Sequence, residues 1–355
     1  MLPDALRTEL AAVPDLRLLT QPDDLERFSR DAYDYSPVLQ QRLAQCRAEL
    51  VVRPETVDAV VRVAAGCRQH GVPLTLRGSG TGNYGQSVPL ESGVVMLMSQ
   101  LRAVRSIDQS SGVVTVECGC LMKDLNRELA RVGRQLRLMP STWRSATIGG
   151  FIAGGSGGIG SVRWGFLRDP GHLLGLEVVT MEQQPRVLQL EAGDAEALNH
   201  AYGTNGIITA LRLATATSVD WQELVVDCPD WRTAVDLARR CTSAAIDLHL
   251  CTVLEAAVVE LLPNWDLPQR RSDRLLLLVA PDAVSTVQRL ASAVGAEMTH
   301  LGAEADRHGS GLRELSWNHT TLHLRQRDPG WTYLQMLLPQ PEINCLETLK
   351  QTWGD

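Results

Sequence analysis

Glycines are concentrated in two short stretches, and this clustering constrains the fold more than any other feature of the sequence. Residues 77–87 hold four glycines interleaved with small polar residues, and residues 147–160 hold seven. In ordered structure each glycine costs roughly 0.5–1 kcal/mol of backbone entropy relative to alanine. Clusters of this density indicate places where main chain closely approaches a ligand or another segment.

The first stretch follows a predicted strand at 73–76 and has the composition of an anion cradle. Alternating glycines reach positive φ angles without strain, so that successive backbone N–H groups can point to one side. Ser79, Thr81 and Ser87 add hydroxyl donors. The sequence therefore predicts a site for a diphosphate in this loop.

Two common phosphate-binding motifs do not describe this loop. A Walker motif ends in Gly-Lys-Ser/Thr, and residues 77–87 contain no lysine. A Rossmann Gly-x-Gly-x-x-Gly sequence opens a helix, whereas these glycines lead into a polar stretch and then Pro89. For the loop taken alone, a flexible hairpin connection is the competing interpretation.

The second stretch predicts a slot of bare main chain that suits a flat ligand. Seven glycines remove most of the side chains over 147–160. Arg163 and Trp164 follow directly and offer a charge and an aromatic face to a ligand. The competing interpretations are a salt bridge from Arg163 to Asp169 or Glu177, and packing of Trp164 in the core.

Apolar periodicity and turn residues divide the chain into three segments. Residues 1–44 predict a helical lead-in, 45–217 a first domain of mixed helices and strands, and 218–355 a smaller α+β domain. The first domain contains a strand–helix–strand unit over 50–77, followed by paired strands. In the last segment strand and helix patterns alternate, which predicts an antiparallel sheet with helices on one face.

Composition excludes several classes of protein. The net charge of −7 argues against a nucleic-acid-binding role, because phosphate contacts need a basic face. No apolar run approaches 18 residues, so no integral membrane segment is expected. The N-terminus lacks the features of a signal peptide, which predicts a cytoplasmic protein. The eight cysteines form no Cys-x-x-Cys pair, so reduced thiols and no metal site are expected.

A series of short segments between about residues 45 and 215 carries a family resemblance. In order they are Val52-Arg53-Pro54, Arg77-Gly78-x-Gly80-Thr81-Gly82, Val116-Glu117-Cys118-Gly119, Thr147-Ile148-Gly149-Gly150, Ser156-Gly157-Gly158, Arg163-Trp164-Gly165, Leu176-Glu177-Val178-Val179 and Gly203-Thr204-Asn205-Gly206-Ile207-Ile208-Thr209. Together they resemble the FAD-binding domain of the vanillyl-alcohol oxidase and p-cresol methylhydroxylase (PCMH) superfamily. Within it, the chain is most similar to the branch of glycolate oxidase and D-lactate dehydrogenase flavoprotein subunits.

The resemblance implies an α+β fold with bound FAD. It implies a PCMH-type FAD-binding domain of two α+β subdomains, followed by a smaller ferredoxin-like substrate or cap domain. No histidine lies between Gly71 and Gly171, so the flavin is expected to be held without a covalent bond from the first loop. The residues that the resemblance assigns to FAD are Arg77, Gly78, Ser79, Gly80, Thr81, Gly82, Asn83, Ser87, Pro140, Thr147, Gly149, Gly150, Ser156, Gly157, Gly158, Gly206, Ile207 and Ile208.

The activity implied is oxidation of a small alcohol or 2-hydroxy acid by hydride transfer to FAD. Oxygen, a quinone or an electron-transfer protein would then reoxidise the flavin. Two alternatives stay open: a flavin-binding subunit or degenerate homologue without its own turnover, and an NAD-linked Rossmann enzyme. The chain departs from the family where Phe151 and Gly155 replace the usual asparagines, and where the second domain lacks His-x-His and Glu-His-Gly metal-ligand motifs. These gaps and the end at Asp355 point to a compact subfamily or a shortened product.

Three residues are candidates for the chemistry. A hydroxy acid needs a cation for its carboxylate and a base for its hydroxyl proton. His319 and Arg325 lie in one segment of the second domain, and Arg163 follows the second glycine stretch. The competing interpretation makes His319 and Arg325 polar residues on the domain surface. No metal is expected.

Overall fold

Three β-sheets with helices packed on them follow one another along the chain. The structure, a computed structural model, describes residues 2–32, 36–155, 157–262, 271–304, 311–315, 318–328, 330–331, 336, 338–339, 342–343 and 345–353. The helices are α1 (Asp4–Ala11), α2 (Pro22–Phe28), α3 (Pro37–Leu43), α4 (Val57–His70), α5 (Met122–Ala130), α6 (Ile148–Gly154), α7 (Ser161–Trp164), α8 (Ala192–Ala195), α9 (Trp231–Ser243), α10 (Ala256–Leu261), α11 (Val284–Ala293), α12 (Asn318–Arg327) and α13 (Cys345–Trp353). The strands are β1 (Leu16–Leu19), β2 (Leu50–Pro54), β3 (Leu74–Arg77), β4 (Val94–Leu97), β5 (Val104–Asp108), β6 (Val113–Glu117), β7 (Arg134–Leu136), β8 (Leu173–Val179), β9 (Val187–Glu191), β10 (Ile207–Thr217), β11 (Gln222–Cys228), β12 (Leu248–Leu254), β13 (Asp273–Val279) and β14 (Glu297–Ala303).

The first sheet has the strand order β1-β2-β4-β3 and delivers the chain into the first glycine stretch. Strands β2, β4 and β3 run parallel, and every side chain of β4 is buried because helices and the second sheet cover both faces. Helix α4 connects β2 to β3, capped at its start by Thr56 and ended by left-handed Gly71. The predicted strand–helix–strand unit over 50–77 is therefore present.

The predicted helical lead-in is only partly helical. Strand β1 lies between α1 and α2 and pairs antiparallel with β2. Its side chains are half-buried or exposed, so the segment shows no clear alternation of apolar and polar residues. The pairing partner lies more than 30 residues further on, from Leu50 to Pro54, and that tertiary contact decides the conformation.

The second sheet is antiparallel, with the order β5-β6-β10-β8-β9, and β7 pairs with the end of β10. Strand β10 lies at its centre and is buried along most of its length, as expected for a strand paired on both edges. The paired strands predicted after residue 77 are present as the antiparallel pairs β5–β6 and β8–β9. One continuous apolar core links the first two sheets with α4, α5 and α6.

The third sheet has the order β12-β13-β11-β14. With α9 after β11 and α11 after β13, this is the βαββαβ arrangement of a ferredoxin-like fold, as the resemblance implies. Apolar side chains of α9 and α11 cover one face of the sheet. The other face packs on Ile159 and Trp221, which lie toward the first domain. Among the described residues, no helix has the length and apolar character needed to cross a bilayer.

Gln135 joins the second sheet to the third. Its side-chain Oε1 accepts hydrogen bonds from Trp221 Nε1 at 3.1 Å and from the backbone N of Val219 at 3.5 Å. The predicted domain boundary near residue 218 lies in this connection, between the end of β10 and the start of β11. The chain is therefore held at the point where it passes from one sheet to the next.

Candidate functional site

Both glycine stretches line one cavity of about 410 Å³. This volume lies in the range of pockets that hold cofactors and small molecules. The lining residues that the structure describes are Leu76, Arg77, Gly78, Ser79, Gly80, Thr81, Gly82, Tyr84, Gln86, Ser87, Met98, Cys118, Pro140, Ser141, Thr142, Ala146, Thr147, Gly149, Gly150, Phe151, Ala153, Gly154, Gly155, Gly157, Gly158, His200, Tyr202, Gly203, Gly206 and Ile208.

The first glycine stretch connects β3 to β4 without a helix. This rules out the Rossmann arrangement, in which the glycines open a helix. Gly80 has a φ of 69°, and a Cβ there would overlap the Arg77 guanidinium. The loop therefore folds tightly over the Arg77 side chain, which only glycine at position 80 allows.

Arg77 places a buried cation beneath this loop. Its guanidinium donates to Ser87 Oγ at 3.1 Å and lies 5.9 Å from the centroid of the Phe28 ring. Burial lowers the pKa of Arg77, and the nearby carboxylate of Asp31 opposes that shift. Because an arginine stays protonated in proteins, the loop has positive charge beside its backbone N–H groups. An anion in the cavity would meet both.

The second glycine stretch contains a helix that the sequence did not predict. Helix α6 begins after Thr147, whose Oγ1 accepts from the backbone N of Gly150 at 3.3 Å. It ends at Gly155, which is left-handed with a φ of 60°. The buried side chains of Ile148, Phe151 and Ile152 anchor it in the core, so its glycines face the cavity on the other side.

The two stretches are packed against each other. A Cβ on Gly78 would overlap Thr147 Oγ1 and would lie 3.5 Å from the Cα of Gly150. Any larger residue at position 78 would push the loop away from α6. Because side chains are absent here, the two backbones approach each other closely at Gly78 and Gly150. Both stretches line the cavity beside this contact.

The cavity fits a flavin dinucleotide. Backbone N–H groups, hydroxyls and the Arg77 cation suit a diphosphate. A Cβ at Gly154 would meet nothing within 4 Å, so the cavity wall there is bare and leaves room for a ring system. The donor set and the open wall together match the two halves of the ligand that the sequence predicts.

Most residues predicted to bind FAD line this cavity. Asn83 and Ile207 do not: both are buried, Asn83 within the first glycine stretch and Ile207 in β10. Ser156 lies outside the described residues. Those brought together at the cavity are Arg77, Gly78, Ser79, Gly80, Thr81, Gly82, Ser87, Pro140, Thr147, Gly149, Gly150, Gly157, Gly158, Gly206 and Ile208.

Arg163 does not contact the cavity, contrary to its predicted role. Its Nη1 lies 2.7 Å from Oδ1 of Asp247, in the second domain. The guanidinium also lies 5.1 Å from the Trp164 ring centroid and 5.9 Å from that of Trp221. The ion-pair partners predicted for it, Asp169 and Glu177, bond elsewhere. Arg163 therefore links α7 to the residue that precedes β12.

The other two catalytic candidates lie on α12. Arg325 is half-buried and is not a lining residue of the cavity. For His319 the structure describes the backbone alone. Helix α12 follows the segment 312–315, where Arg313 Nη1 lies 3.7 Å from Met139 Sδ, next to the cavity-lining Pro140. The second domain thus reaches the edge of the cavity through Arg313, and the roles of His319 and Arg325 stay predictions.

Four reactive or aromatic side chains at the cavity were missed by sequence reasoning. They are Tyr84, Cys118, His200 and Tyr202. Burial raises the pKa of the Cys118 thiol to about 12, so it stays protonated and is a poor nucleophile. His200 and Tyr202 precede the Gly203–Thr209 motif, and their proximity to the motif was the signal available in the sequence.

Comparison with known proteins agrees with this geometry. The family described as "FAD binding domain" matches residues 48–184. Glycolate oxidase subunit GlcD of Bacillus subtilis is 33% identical over 148 residues, which are 42% of this chain and 30% of that protein. The mitochondrial D-2-hydroxyglutarate dehydrogenase of Danio rerio is 29% identical over 163 residues, 46% of this chain and 29% of that protein.

A solved structure extends the likeness to the whole fold. The structure of an alkyldihydroxyacetonephosphate synthase superposes with a TM-score of 0.80 and 18% identity, and the match covers 99% of this chain and 75% of the other. At that identity it shows a shared fold alone. The chain spans under a third of the length of the two curated relatives. Residues 48–184 are therefore similar in sequence to an FAD-binding domain, and over this part the chain resembles a glycolate oxidase subunit and a D-2-hydroxyglutarate dehydrogenase.

Proposed function

We propose that this protein is an FAD-dependent oxidoreductase that oxidises a small alcohol or 2-hydroxy acid. The observation that carries the proposal is the shared cavity: a polar loop over a buried arginine on one side, and a bare helix face on the other. Similarity to a glycolate oxidase subunit and to a D-2-hydroxyglutarate dehydrogenase supports this substrate class.

Different residues around the cavity would bind different parts of the cofactor. Backbone N–H groups of residues 78–82 and the charge of Arg77 would hold the diphosphate. The main chain of α6 would contact the cofactor, and Thr147 keeps the first turn of α6 in place through the bond to Gly150. FAD, when bound, supplies the acceptor for a hydride from the substrate C–H bond. The proposal takes attachment to be non-covalent, because the first loop contains no histidine and burial keeps the Cys118 thiol protonated.

The second domain supplies the substrate side of the site. It meets the first domain at Gly160, whose backbone N donates to the carbonyl oxygen of His249 at 2.9 Å, and at Met139, which contacts Arg313. Helix α12 adjoins this region, since Thr320 Oγ1 donates to the carbonyl oxygen of Leu315. In the proposal Arg325 binds the substrate carboxylate and His319 takes the hydroxyl proton. The electron acceptor is oxygen, a quinone or a protein partner, and the location is the cytoplasm.

One observation favours the second candidate, a flavin-binding subunit without its own turnover. Among the described residues that line the cavity, Arg77 and His200 carry basic groups and none carries a carboxylate. Arg77 lies under the first loop, bonded to Ser87. A hydroxy acid needs a cation for its carboxylate as well as a base, so the cavity alone supplies an incomplete set.

Spectroscopy of the purified protein separates these functions. The expected spectrum has flavin absorbance bands, and acid precipitation moves the flavin to the supernatant, where it is identified as FAD. Anaerobic addition of glycolate, D-lactate or D-2-hydroxyglutarate bleaches the bands if the chain is an active enzyme. If neither these acids nor simple alcohols bleach the bands, the result supports the flavin-binding subunit without its own turnover. A protein that stays colourless after incubation with FAD contradicts both candidates.

A further inference from the structure

Two aromatic side chains form a fixed pair at the cavity. Tyr202 Oη lies 2.9 Å from Nε2 of His200, and the two rings meet edge to face with centroids 5.2 Å apart. Both residues line the cavity, and Tyr202 is 41% exposed. A surface tyrosine normally changes rotamer freely, but this one is restrained by its neighbour. The pair presents a preformed aromatic surface to the cavity.

The backbone under this pair is strained. His200 and Tyr202 have φ angles of 61° and 52°, in the left-handed region that residues with side chains rarely adopt. The strain is held by hydrogen bonds from the backbone N of each residue to the carbonyl oxygens of Ile152 and Ala153 in α6, at 3.0 and 2.9 Å. Strained backbone of this kind is concentrated at ligand-binding sites.

Gly155 provides the space for the His200 ring. A Cβ at position 155 would overlap Cβ, Cγ and Cδ2 of the His200 side chain, and Gly155 itself has a left-handed φ of 60°. The position of the His200 side chain therefore depends on the glycine at the end of α6. This arrangement positions two rings beside the bare part of the cavity wall at Gly154.

The position of the pair relative to the two domains identifies the part of FAD that it meets. The second domain contacts the first next to Pro140 and Gly158, through Met139–Arg313 and Gly160–His249. The hydride acceptor belongs on that side, where a substrate can be held. The pair lies instead beside Gly203, which packs on Leu76 of β3, and near Ile208 at the start of β10.

We propose that the His200–Tyr202 pair is the surface on which the adenine ring of FAD stacks. This inference rests on the proposed function and assigns two binding residues to its cofactor. Adenine has a π-face at which an aromatic side chain gains contact without needing a specific hydrogen bond. The exposed face of Tyr202 becomes covered when the nucleotide binds.

Replacement of Tyr202 by glycine tests the assignment without endangering the fold. Tyr202→Gly removes the ring and also relieves the left-handed backbone, so the thermal midpoint of the apoprotein is expected to stay level or rise. Tyr202→Phe keeps the ring and loses the bond to His200. Phe166→Ala is the control, since Phe166 is an aromatic residue that is 54% exposed and does not line the cavity.

Calorimetric titration of each apoprotein with FAD, ADP and FMN gives the readout. Tyr202→Gly is expected to weaken FAD and ADP about tenfold and leave FMN unchanged. Tyr202→Phe keeps most of the affinity, and the control keeps all of it. Loss of FMN affinity with ADP unchanged overturns the assignment, because the isoalloxazine then occupies this surface. Unchanged affinity for all three also overturns it, as does a wild-type protein that binds FMN but not ADP. If the wild type fails to bind FAD, the proposed function itself is wrong.

Discussion

The indole ring of Trp221 stacks on the imidazole of His249 with centroids 4.6 Å apart and planes 7° from parallel. His249 is buried in β12, and neither ring nitrogen has a hydrogen-bond partner among the described residues. Burial, assisted by the charges of Arg313 and Arg163, holds the pKa of His249 well below its usual 6.5. The folded protein therefore keeps this imidazole neutral.

A neutral buried histidine makes stability depend on pH. The unfolded chain takes up a proton below about pH 6.5 that the folded chain excludes, so stability is lost as pH falls. The expected loss from His249 approaches about 1.4 kcal/mol per pH unit below that point. Urea unfolding of wild type and His249→Phe between pH 8 and 5 measures it. His172 and His323, whose pKa values burial also lowers, affect both proteins alike. Equal slopes in the two proteins would contradict the prediction.

Gly154→Ala is expected to raise stability and lower FAD affinity. A Cβ there meets no protein atom within 4 Å, and alanine is favoured over glycine in a helix by about 1 kcal/mol. The same Cβ projects from the bare wall into the space assigned to the cofactor. Thermal unfolding of the apoprotein and FAD titration are the two measurements. Gly193→Ala, in α8 and equally free of contacts, is the matched control and should change stability alone. A Gly154 variant that binds FAD normally would place the cofactor elsewhere.

Gly80→Ala is expected to abolish FAD binding. The residue is left-handed, and its added Cβ would overlap the Arg77 guanidinium, so both the loop and the buried cation must move. Gly295→Ala has a nearly identical φ of 70° and no neighbour within 4 Å. The control variant is therefore destabilised by the same backbone strain, roughly 1–2 kcal/mol, and its cavity is unchanged. Flavin content after purification and gel filtration reports the result, and similar flavin content in both variants would argue against the role of the loop.

Arg163→Gln is expected to lower the thermal midpoint by a few degrees and leave FAD affinity unchanged. Its carboxylate partner is half exposed, so the ion pair itself contributes at most about 1 kcal/mol. Contacts with Trp164 and Trp221 add to that. Asp247→Asn removes the same pair from the other domain and should behave alike. If FAD affinity falls for Arg163→Gln but not for Asp247→Asn, then Arg163 contacts the ligand, as the sequence predicts.

Local signals were enough to predict much of the fold. The paired strands expected after residue 77 include the hairpin of β5 and β6, in which apolar alternation surrounds a turn of Gln109, Ser110, Ser111 and Gly112. Helix α4 is the helix of the strand–helix–strand unit predicted over 50–77, and Thr56 and Gly71 cap it. The cavity-lining glycines were predicted from clustering and family resemblance together.

The missed features depend on contacts that no local pattern shows. Helix α6 is not predicted from the sequence, because glycine has a low helix propensity. Burial of the Ile148 and Ile152 side chains stabilises the helix nevertheless. The partner of Arg163 lies in another domain, 84 residues along the chain at Asp247. From the sequence, Gly155 is a position where the family usually has asparagine. The structure shows that the glycine makes room for the His200 side chain.

The double hydrogen bond at Gln135 has a mechanical consequence. One amide oxygen holds both Val219 and Trp221, on either side of Asp220, in the short passage between the two domains. Swinging the ferredoxin-like domain about this passage breaks both bonds together. The two bonds therefore restrain rotation of the third sheet relative to the second at this connection.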